Sequence, residues 1–358
     1  MTREALQNVR CAVVCPIANG GGITEAFLTS LEMLKAHAIT PVAIVPEAFL
    51  FLDRLAATGY EIHRLFGLEL GGALNVFWQA WSIARAARIA KVDILILNNG
   101  RHVEVVKRLL RNIPMVAIYH GGKTQRFLAA DRVITINDDQ LQYLVQAGYP
   151  PERACVVDNA LPVEALEPYQ PKPRHTDGPV VGSLRLLEPA KGVDVLIEAV
   201  AILAARGRRI RTRIGSSGSQ EQELRNRVSS LGLADVIEFT GWVGNKAKFL
   251  ESLDIYVLPS RAEEWGIGIV EANAARLPVI ATACLGPKRI VKDGETGILV
   301  PIDDPVAMAE AIQQLADDPE HCERLARRAH MHAEANYILP RIAPLFVSNV
   351  VRVLYDNR

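Results

Sequence analysis

The sequence has no excess of charge of either sign, and this absence already excludes one class of partner. Its 358 residues include 40 Lys and Arg against 40 Asp and Glu. Proteins dedicated to nucleic acids usually carry a basic excess, so the balance argues against nucleic acid as a partner. The length exceeds the roughly 100–200 residues of a common domain, so we expect two domains.

Cysteines and long apolar runs are also scarce. The sequence contains five cysteines, Cys11, Cys15, Cys155, Cys284 and Cys322. They form no CxxC pair and no cluster with histidines at metal-ligand spacing, so we expect a reduced, cytoplasmic protein without a metal or other cofactor. No run of about 18 apolar residues occurs, so no transmembrane helix is expected. The run Cys11–Ala18 is too short, and too soon followed by glycines, for the core of a signal peptide.

Short apolar runs alternate with longer amphipathic segments on both sides of a proline-rich stretch at 162–179. This alternation predicts parallel βαβ units in both halves, and the prolines predict an extended linker. The expected fold is therefore α/β, with two Rossmann-like, doubly wound domains that face each other across a cleft. We predict their bounds as 1–165 and 166–340, with a last helix at about 341–358 that packs back on the first domain.

In the first half, an almost uncharged segment precedes a basic one. Leu65–Ala84 contains one charge, Glu69, and includes the run Phe77-Trp78-Gln79-Ala80-Trp81. Residues 75–126 then hold nine Lys and Arg against two acidic residues. The pattern is typical of peripheral contact with an anionic membrane, here through residues 65–111. A buried helix followed by solvated helices is the alternative.

A glycine-rich loop, Asn19–Thr24, follows the first predicted strand and precedes the first predicted helix. Glycines such as Gly21 and Gly22 let the backbone approach a ligand closely, and a helix N-terminus favours an anion. The loop lacks the G-x-G-x-x-G dinucleotide fingerprint. We favour contact with an anion or substrate over a purely structural turn.

Two cations flank the loop after the first strand of the second half. Arg185 and Lys191 lie in the stretch Gly182–Gly192, which predicts a strand, a loop and the start of a helix. Two such cations beside a helix N-terminus suit a diphosphate, since charge-assisted hydrogen bonds are strong. A merely solvated loop is the alternative.

Two carboxylates lie eight residues apart further along the chain. Glu263 falls in a predicted loop, and Glu271 falls near the start of a helix predicted at 270–276 among alanines and valines. Carboxylates accept hydrogen bonds from vicinal hydroxyls, so a sugar or a ribose is a sensible partner. Surface charge or helix capping is the alternative.

The Glu-x7-Glu element, continued by Ala-x-Ala-Ala-x-x-Pro-Val, resembles the signature of the retaining, sugar-nucleotide-dependent glycosyltransferases of family 4. These are group 1 glycosyl transferases with the GT-B fold. Tyr119-His120-Gly121, Arg185…Lys191-Gly192-Val193-Asp194 and Lys292–Pro301 are similar to further motifs of that family, so the resemblance covers nearly the whole chain. Arg276 stands where the family usually has glycine.

The resemblance implies a role for each of these residues. Arg185 and Lys191 would neutralise the donor diphosphate, and Glu263 would bind hydroxyls of the donor sugar. The remaining donor-binding residues would be Glu271 on the ribose, Trp242 and Val243 at the base, and the main-chain amides of Trp265, Gly266 and Ile267 near the sugar. From the first domain, His120 would face the donor sugar at the reaction centre, and Gly21 and Gly22 would close over the phosphates.

These observations predict a retaining, metal-independent hexosyltransferase. It would use a UDP- or GDP-sugar and a glycan or lipid-linked acceptor, in bacterial lipopolysaccharide or other cell-surface glycan synthesis. The sequence has no Asp-x-Asp motif for a metal on the diphosphate. A sugar-nucleotide epimerase of similar fold and a non-catalytic sugar-nucleotide-binding protein are the alternatives. The protein would be cytoplasmic, or peripheral on the inner face of the membrane.

Overall fold

The computed structural model describes residues 6–15, 21–66, 72–173, 175 and 177–356. The chain divides into two units. Unit 1 combines residues 1–164 with 338–358, and unit 2 consists of residues 165–337.

Unit 1 contains a parallel sheet of seven strands. They are β1 (Arg10–Val14), β2 (Thr40–Pro46), β3 (Glu61–Leu65), β4 (Ile94–Leu97), β5 (Met115–Tyr119), β6 (Arg132–Thr135) and β7 (Ala154–Val156). Their order is β3-β2-β1-β4-β5-β6-β7. The order reverses between β1 and β4, and in such sheets ligands bind outside the carboxyl ends of the strands near the reversal.

Helices pack against this sheet. They are α1 (Gly22–Ala36), α2 (Leu52–Ala56), α3 (Gly72–Ile89), α4 (Val103–Leu109) and α5 (Asp138–Gln146). α3 shows the packing: Ala80, Ile83, Ala84 and Ala87 are fully buried in the core, at the i, i+3, i+4, i+7 spacing of one helix face.

Unit 2 contains a second parallel sheet. Its strands are β8 (Val180–Leu184), β9 (Arg211–Gly215), β10 (Ile237–Gly241), β11 (Ile255–Leu258), β12 (Val279–Thr282) and β13 (Ile298–Val300), in the order β10-β9-β8-β11-β12-β13. Its helices are α6 (Val193–Ala205), α7 (Glu221–Ser230), α8 (Lys246–Glu251), α9 (Ile267–Ala274), α10 (Leu285–Ile290), α11 (Pro305–Asp317) and α12 (Pro319–Asn336). The order reverses between β8 and β11, where the site described below lies.

The last helix, α13 (Leu339–Asp356), belongs to unit 1. Its apolar side buries Phe346 and Val350, and Arg132 of β6 binds it by side-chain hydrogen bonds. Arg132 donates to Oδ1 of Asn349 at 3.0 Å and to Oδ2 of Asp356 at 3.3 Å. The buried guanidinium thus ties α13 to the sheet, because an unpaired buried charge would be costly.

The predicted class, two doubly wound α/β domains, is confirmed, but several elements differ. β3, α2 and α10 were not predicted. β3 is an edge strand with exposed charged residues, so it lacks a buried strand's apolar run. α10 is six residues long and contains Gly286 and Pro287, which hide any helical periodicity.

The start of α9 was predicted wrongly, at residue 270. The helix begins at Ile267 because Gly266, with φ of 103°, forms its N-cap. Glu271 is therefore the fifth of eight helical residues rather than an early one.

The arginines near His330 in the sequence predict a surface position for it, but His330 is buried in unit 2. Its Nδ1 lies 3.2 Å from the carbonyl oxygen of Asn273, and its Nε2 lies 2.9 Å from that of Glu167. It joins α12 to α9 and to the chain that enters unit 2.

Candidate functional site

Three charged side chains of unit 2 meet beyond the carboxyl end of β8. Arg185 follows β8, Lys191 ends a short 3₁₀ turn, and Glu263 lies in the loop between β11 and α9. Oε2 of Glu263 accepts hydrogen bonds from Nη2 of Arg185 and, at 3.1 Å, from Nζ of Lys191. The side chain of Arg185 is 9% exposed, that of Lys191 25% and that of Glu263 14%. These charges therefore interact in a partly desolvated setting.

The Arg185 side chain lies close to Gly268 of α9 and to the Tyr256 hydroxyl. A Cβ on Gly268 would lie 2.6 Å from the Tyr256 hydroxyl and 3.6 Å from Nη1 of Arg185, so only glycine fits there without movement. Nε of Arg185 is buried and has no hydrogen-bond partner within the described part of the chain. A buried, unpaired donor favours an anionic ligand that would accept from it.

Lys191 is held where its charge is disfavoured. Burial, together with the neighbouring charge of Arg185, lowers the pKa of Lys191 to about 8. Gly192 follows it with φ of 63°, and a Cβ there would overlap the carbonyl oxygen of Pro259. The loop of Lys191 therefore lies directly against the start of the loop that carries Glu263.

Glu271 lies on α9, with a different partner. Its Oε1 accepts a 2.8 Å hydrogen bond from Nζ of Lys246, the first residue of α8. Lys246 was not predicted as a site residue, because nothing in the sequence distinguishes a single lysine after a turn from a solvent-exposed lysine.

The other predicted donor-site residues of unit 2 lie just before α9, at its start and just after β10. Trp265 is buried edge-on to Tyr337, with ring centroids 5.5 Å apart, so its side chain belongs to the core. Gly266 and Ile267 form the start of α9. Trp242, half exposed, and Val243 follow β10, and a Cβ on Gly215 would lie 2.9 Å from Val243 Cγ2.

In unit 1, His120 follows β5 and faces the end of the neighbouring β4. Its Nε2 lies 3.2 Å from Oδ1 of Asn98, whose amide nitrogen donates to the carbonyl oxygen of Val14 at 3.3 Å. Because that amide donates to Val14, Oδ1 must accept, so Nε2 of His120 carries a proton. Burial lowers the pKa of His120 to about 4, so the ring is neutral at pH 7 and Nδ1 is an acceptor.

The glycine-rich loop is described only in part. Gly21, with φ of 147°, is the N-cap of α1, and Gly22 begins the helix; both are exposed. Residues 16–20, including Asn19 and Gly20, lie outside the described residues.

Known proteins resemble this chain in sequence and in fold. Residues 167–332 match the family model of the group 1 glycosyl transferases. A D-inositol 3-phosphate glycosyltransferase of Streptomyces coelicolor is 31% identical over 290 residues, covering 72% of this chain and 61% of that protein. The lipopolysaccharide core biosynthesis glycosyltransferase LpsE of Rhizobium meliloti is 34% identical over 154 residues, 43% of this chain and 44% of that protein. The chain thus matches between 44% and 61% of the length of these two curated relatives.

A solved structure is similar over almost the whole chain. The crystal structure of Anabaena Alr3699/HepE in complex with UDP-glucose aligns with 96% of this chain and 100% of its own, with a TM-score of 0.82 and 18% identity. The chain therefore has the GT-B fold, as the sequence predicts.

Proposed function

Given the match of residues 167–332 to the group 1 glycosyl transferases, we propose that this protein transfers a hexose from a nucleoside diphosphate-sugar to a hydroxyl group. The observation that carries the proposal is the convergence of Arg185 and Lys191 on Glu263. With donor bound, the two cations would bind the diphosphate, and Glu263 would accept from hydroxyls of the sugar. Glu271 would accept from the ribose.

Transfer would proceed with retention and without a metal. The bond between the anomeric carbon and the diphosphate oxygen breaks, and a bond to the acceptor oxygen forms on the same face. The acceptor's proton passes to the departing diphosphate oxygen. Arg185 and Lys191 would stabilise the charge that develops there, as preorganised cations do in other enzymes. His120, neutral at pH 7, would accept a hydrogen bond at Nδ1 rather than donate a proton to the leaving group.

The proposed acceptor is a glycan or a lipid-linked glycan of the cell surface, presented at the cytoplasmic face of the membrane. The lipopolysaccharide relative from Rhizobium supports this class. The exposed aromatic side chains of α3 support contact with a membrane through residues 65–111.

Thermal shift with UDP-, GDP- and ADP-sugars tests donor binding, because a ligand that binds only the folded state raises the melting temperature. We expect one nucleotide class to stabilise the protein, and no shift with any of them would contradict the proposal. Glu263→Ala and Lys191→Ala should each abolish transfer while the fold survives. Glu238→Ala is a matched control, since its carboxylate pairs with Arg213 and is 57% exposed.

Two further measurements address the mechanism. The anomeric configuration of the product, read by NMR, should equal that of the donor, and an inverted product would exclude retention. Activity should persist in excess EDTA if no metal takes part. Donor binding with neither transfer nor hydrolysis would favour a non-catalytic binding protein instead.

A further inference from the structure

Helix α3 exposes an aromatic face. Leu74, Phe77, Trp78 and Trp81 are between 40% and 64% exposed, although the opposite face of the same helix is fully buried in the core of unit 1. α3 therefore carries large apolar side chains on its exposed face as well as on the face that the core buries. Large exposed apolar patches are rare on soluble proteins and usually mark an interaction surface.

The exposed rings form a groove with a fixed shape. Phe66, Trp78, Trp81, Ser82 and Arg85 line a space of about 220 Å³. The two indole rings pack edge to face, with centroids 5.7 Å apart. Oγ of Ser82 accepts a 3.1 Å hydrogen bond from the backbone N–H of Phe66, which fixes that residue against α3.

A cation borders the groove. The Arg85 guanidinium lies 5.5 Å from the ring centroid of Phe66 and 6.0 Å from that of Trp81. Within the described part of the chain, no acidic side chain pairs with it. The rings therefore hold the guanidinium beside the groove with its charge available to an anion.

The surroundings are also basic. Residues 85–111, which span the end of α3 and all of α4, contain seven Lys and Arg against Asp93 and Glu104. No helix among the described residues is long and apolar enough to cross a membrane. An aromatic face flanked by cations on such a helix is typical of one that lies in the interface of a bilayer.

We propose that the groove face, Phe66, Phe77, Trp78, Trp81 and Arg85, docks on a bilayer that contains anionic lipids. The rings insert at the level of the headgroups, and Arg85 pairs with a lipid phosphate. Charge favours this occupant over a second copy of the chain, because a two-fold contact through this face would bring one basic surface against its twin. The inference rests on the proposed function in one respect: docking would bring the enzyme to a lipid-linked acceptor. Docking itself does not require the donor sugar.

Vesicle co-sedimentation of the full chain tests the proposal, with neutral phosphatidylcholine vesicles and vesicles that also contain phosphatidylglycerol. We expect binding to the anionic vesicles that weakens with salt. Trp78→Ser with Trp81→Ser should raise the lipid concentration for half-binding about tenfold or more, since the buried apolar area is lost. Arg85→Gln should raise it about fivefold.

Matched controls separate these effects from general damage. Tyr143→Ser removes a half-exposed ring of α5, and Arg324→Gln removes an exposed cation of α12; both should bind vesicles as the parent does. In the Trp78→Phe, Trp81→Phe variant, quenching of tryptophan fluorescence by brominated lipid should disappear, although Trp242 and Trp265 remain.

Three results would overturn the proposal: no binding of the parent to anionic vesicles, unchanged binding of the Trp78→Ser, Trp81→Ser variant, or a dimer that this variant dissociates. Failure of docking and failure of the proposed function are distinguishable. The thermal shift with donor sugars reports donor binding, in which the groove face takes no part, and the Trp78→Ser, Trp81→Ser variant should retain it in full.

Discussion

Arg261 holds the carboxylate of Asp194 by two parallel hydrogen bonds, from Nη1 to Oδ1 at 2.8 Å and from Nη2 to Oδ2 at 2.6 Å. Arg261 also donates to the carbonyl oxygen of Pro189 at 2.7 Å. Asp194 lies in the first turn of α6, just after the loop of Lys191, and Arg261 lies two residues before Glu263. The pair therefore fixes the distance between the two loops that carry the charged cluster.

We predict that Asp194→Asn weakens donor binding although Asp194 need not touch the donor. A bidentate pair fixes geometry as well as contributing energy, so its loss lets the loops of Lys191 and Glu263 separate. Donor affinity, measured by titration of the thermal shift, should fall about tenfold. Arg209→Ala, which breaks an exposed pair with Asp235, should leave it unchanged. Equal affinity in Asp194→Asn and the parent would show that this pair does not position the site.

The lowered pKa of Lys191 predicts a pH dependence of donor binding. The ammonium charge is present below a pKa of about 8 and is lost as the pH rises through that value. A diphosphate favours the charged form, so the Kd for donor should rise above pH 8 by up to about tenfold per pH unit. The measurement is calorimetric titration between pH 6.5 and 9.5.

Lys191→Arg gives the control for this profile. Arginine stays charged throughout the range, so the variant's Kd should change little between pH 7 and 9.5, whatever its absolute value. A steep rise in the arginine variant would assign the dependence to another group.

The bond between Lys246 and Glu271 predicts a positioning role for the lysine. Lys246→Met should raise KM for the donor about three- to tenfold and leave kcat nearly unchanged, because the partly buried Glu271 carboxylate loses one of its orienting hydrogen bonds. Lys246→Arg should restore most of the affinity. The effect should shrink with a donor that lacks ribose hydroxyls, and an equal effect on that donor would contradict a role through Glu271.

The sequence predicts the fold well because the central strands are apolar on both faces. The apolar run Met115–Tyr119 predicts β5 to the residue, and the structure buries each of its side chains. Edge strand β3 escapes prediction, because its exposed Glu61 and Arg64 give it no apolar run. The start of α9 escapes as well, because it depends on the positive φ of Gly266, 103°, and a glycine in a sequence does not show which φ it adopts.

The site is predictable in its members but not in its pairings. The spacing of Glu263 and Glu271 alone identifies them as candidates. It does not reveal that Glu263 contacts Arg185, 78 residues away, or that Glu271 contacts Lys246, 25 residues away. Asn98 could have been found, since it is a polar residue at the end of an apolar strand. Its function as the partner of His120 depends on the pairing of β4 with β5, which sequence order does not reveal.

Asn98→Asp should raise the pKa of His120. Burial holds the pKa of His120 at about 4, and a carboxylate in place of the amide favours the imidazolium. The ring should then titrate at or above the ordinary value near 6.5, as followed by NMR of the imidazole protons. Asn336→Asp, on an exposed turn of α12, should not move it. An unchanged titration would show that the His120–Asn98 hydrogen bond is absent in solution.

Arg276→Gly should stabilise the protein. Arg276 adopts φ of 63° just after α9, a left-handed conformation that costs a residue with a Cβ about 1 kcal/mol and suits glycine. No hydrogen bond of its side chain occurs within the described part of the chain, so little is lost in exchange. The melting temperature should rise by about 2–4 °C, after allowance for the greater freedom of glycine in the unfolded chain. Arg206→Gly is the matched control: Arg206 also follows a helix, but with φ of −83°, so glycine there should lower the melting temperature. A fall in both variants would mean that Arg276 makes a stabilising contact that outweighs the strain of its backbone.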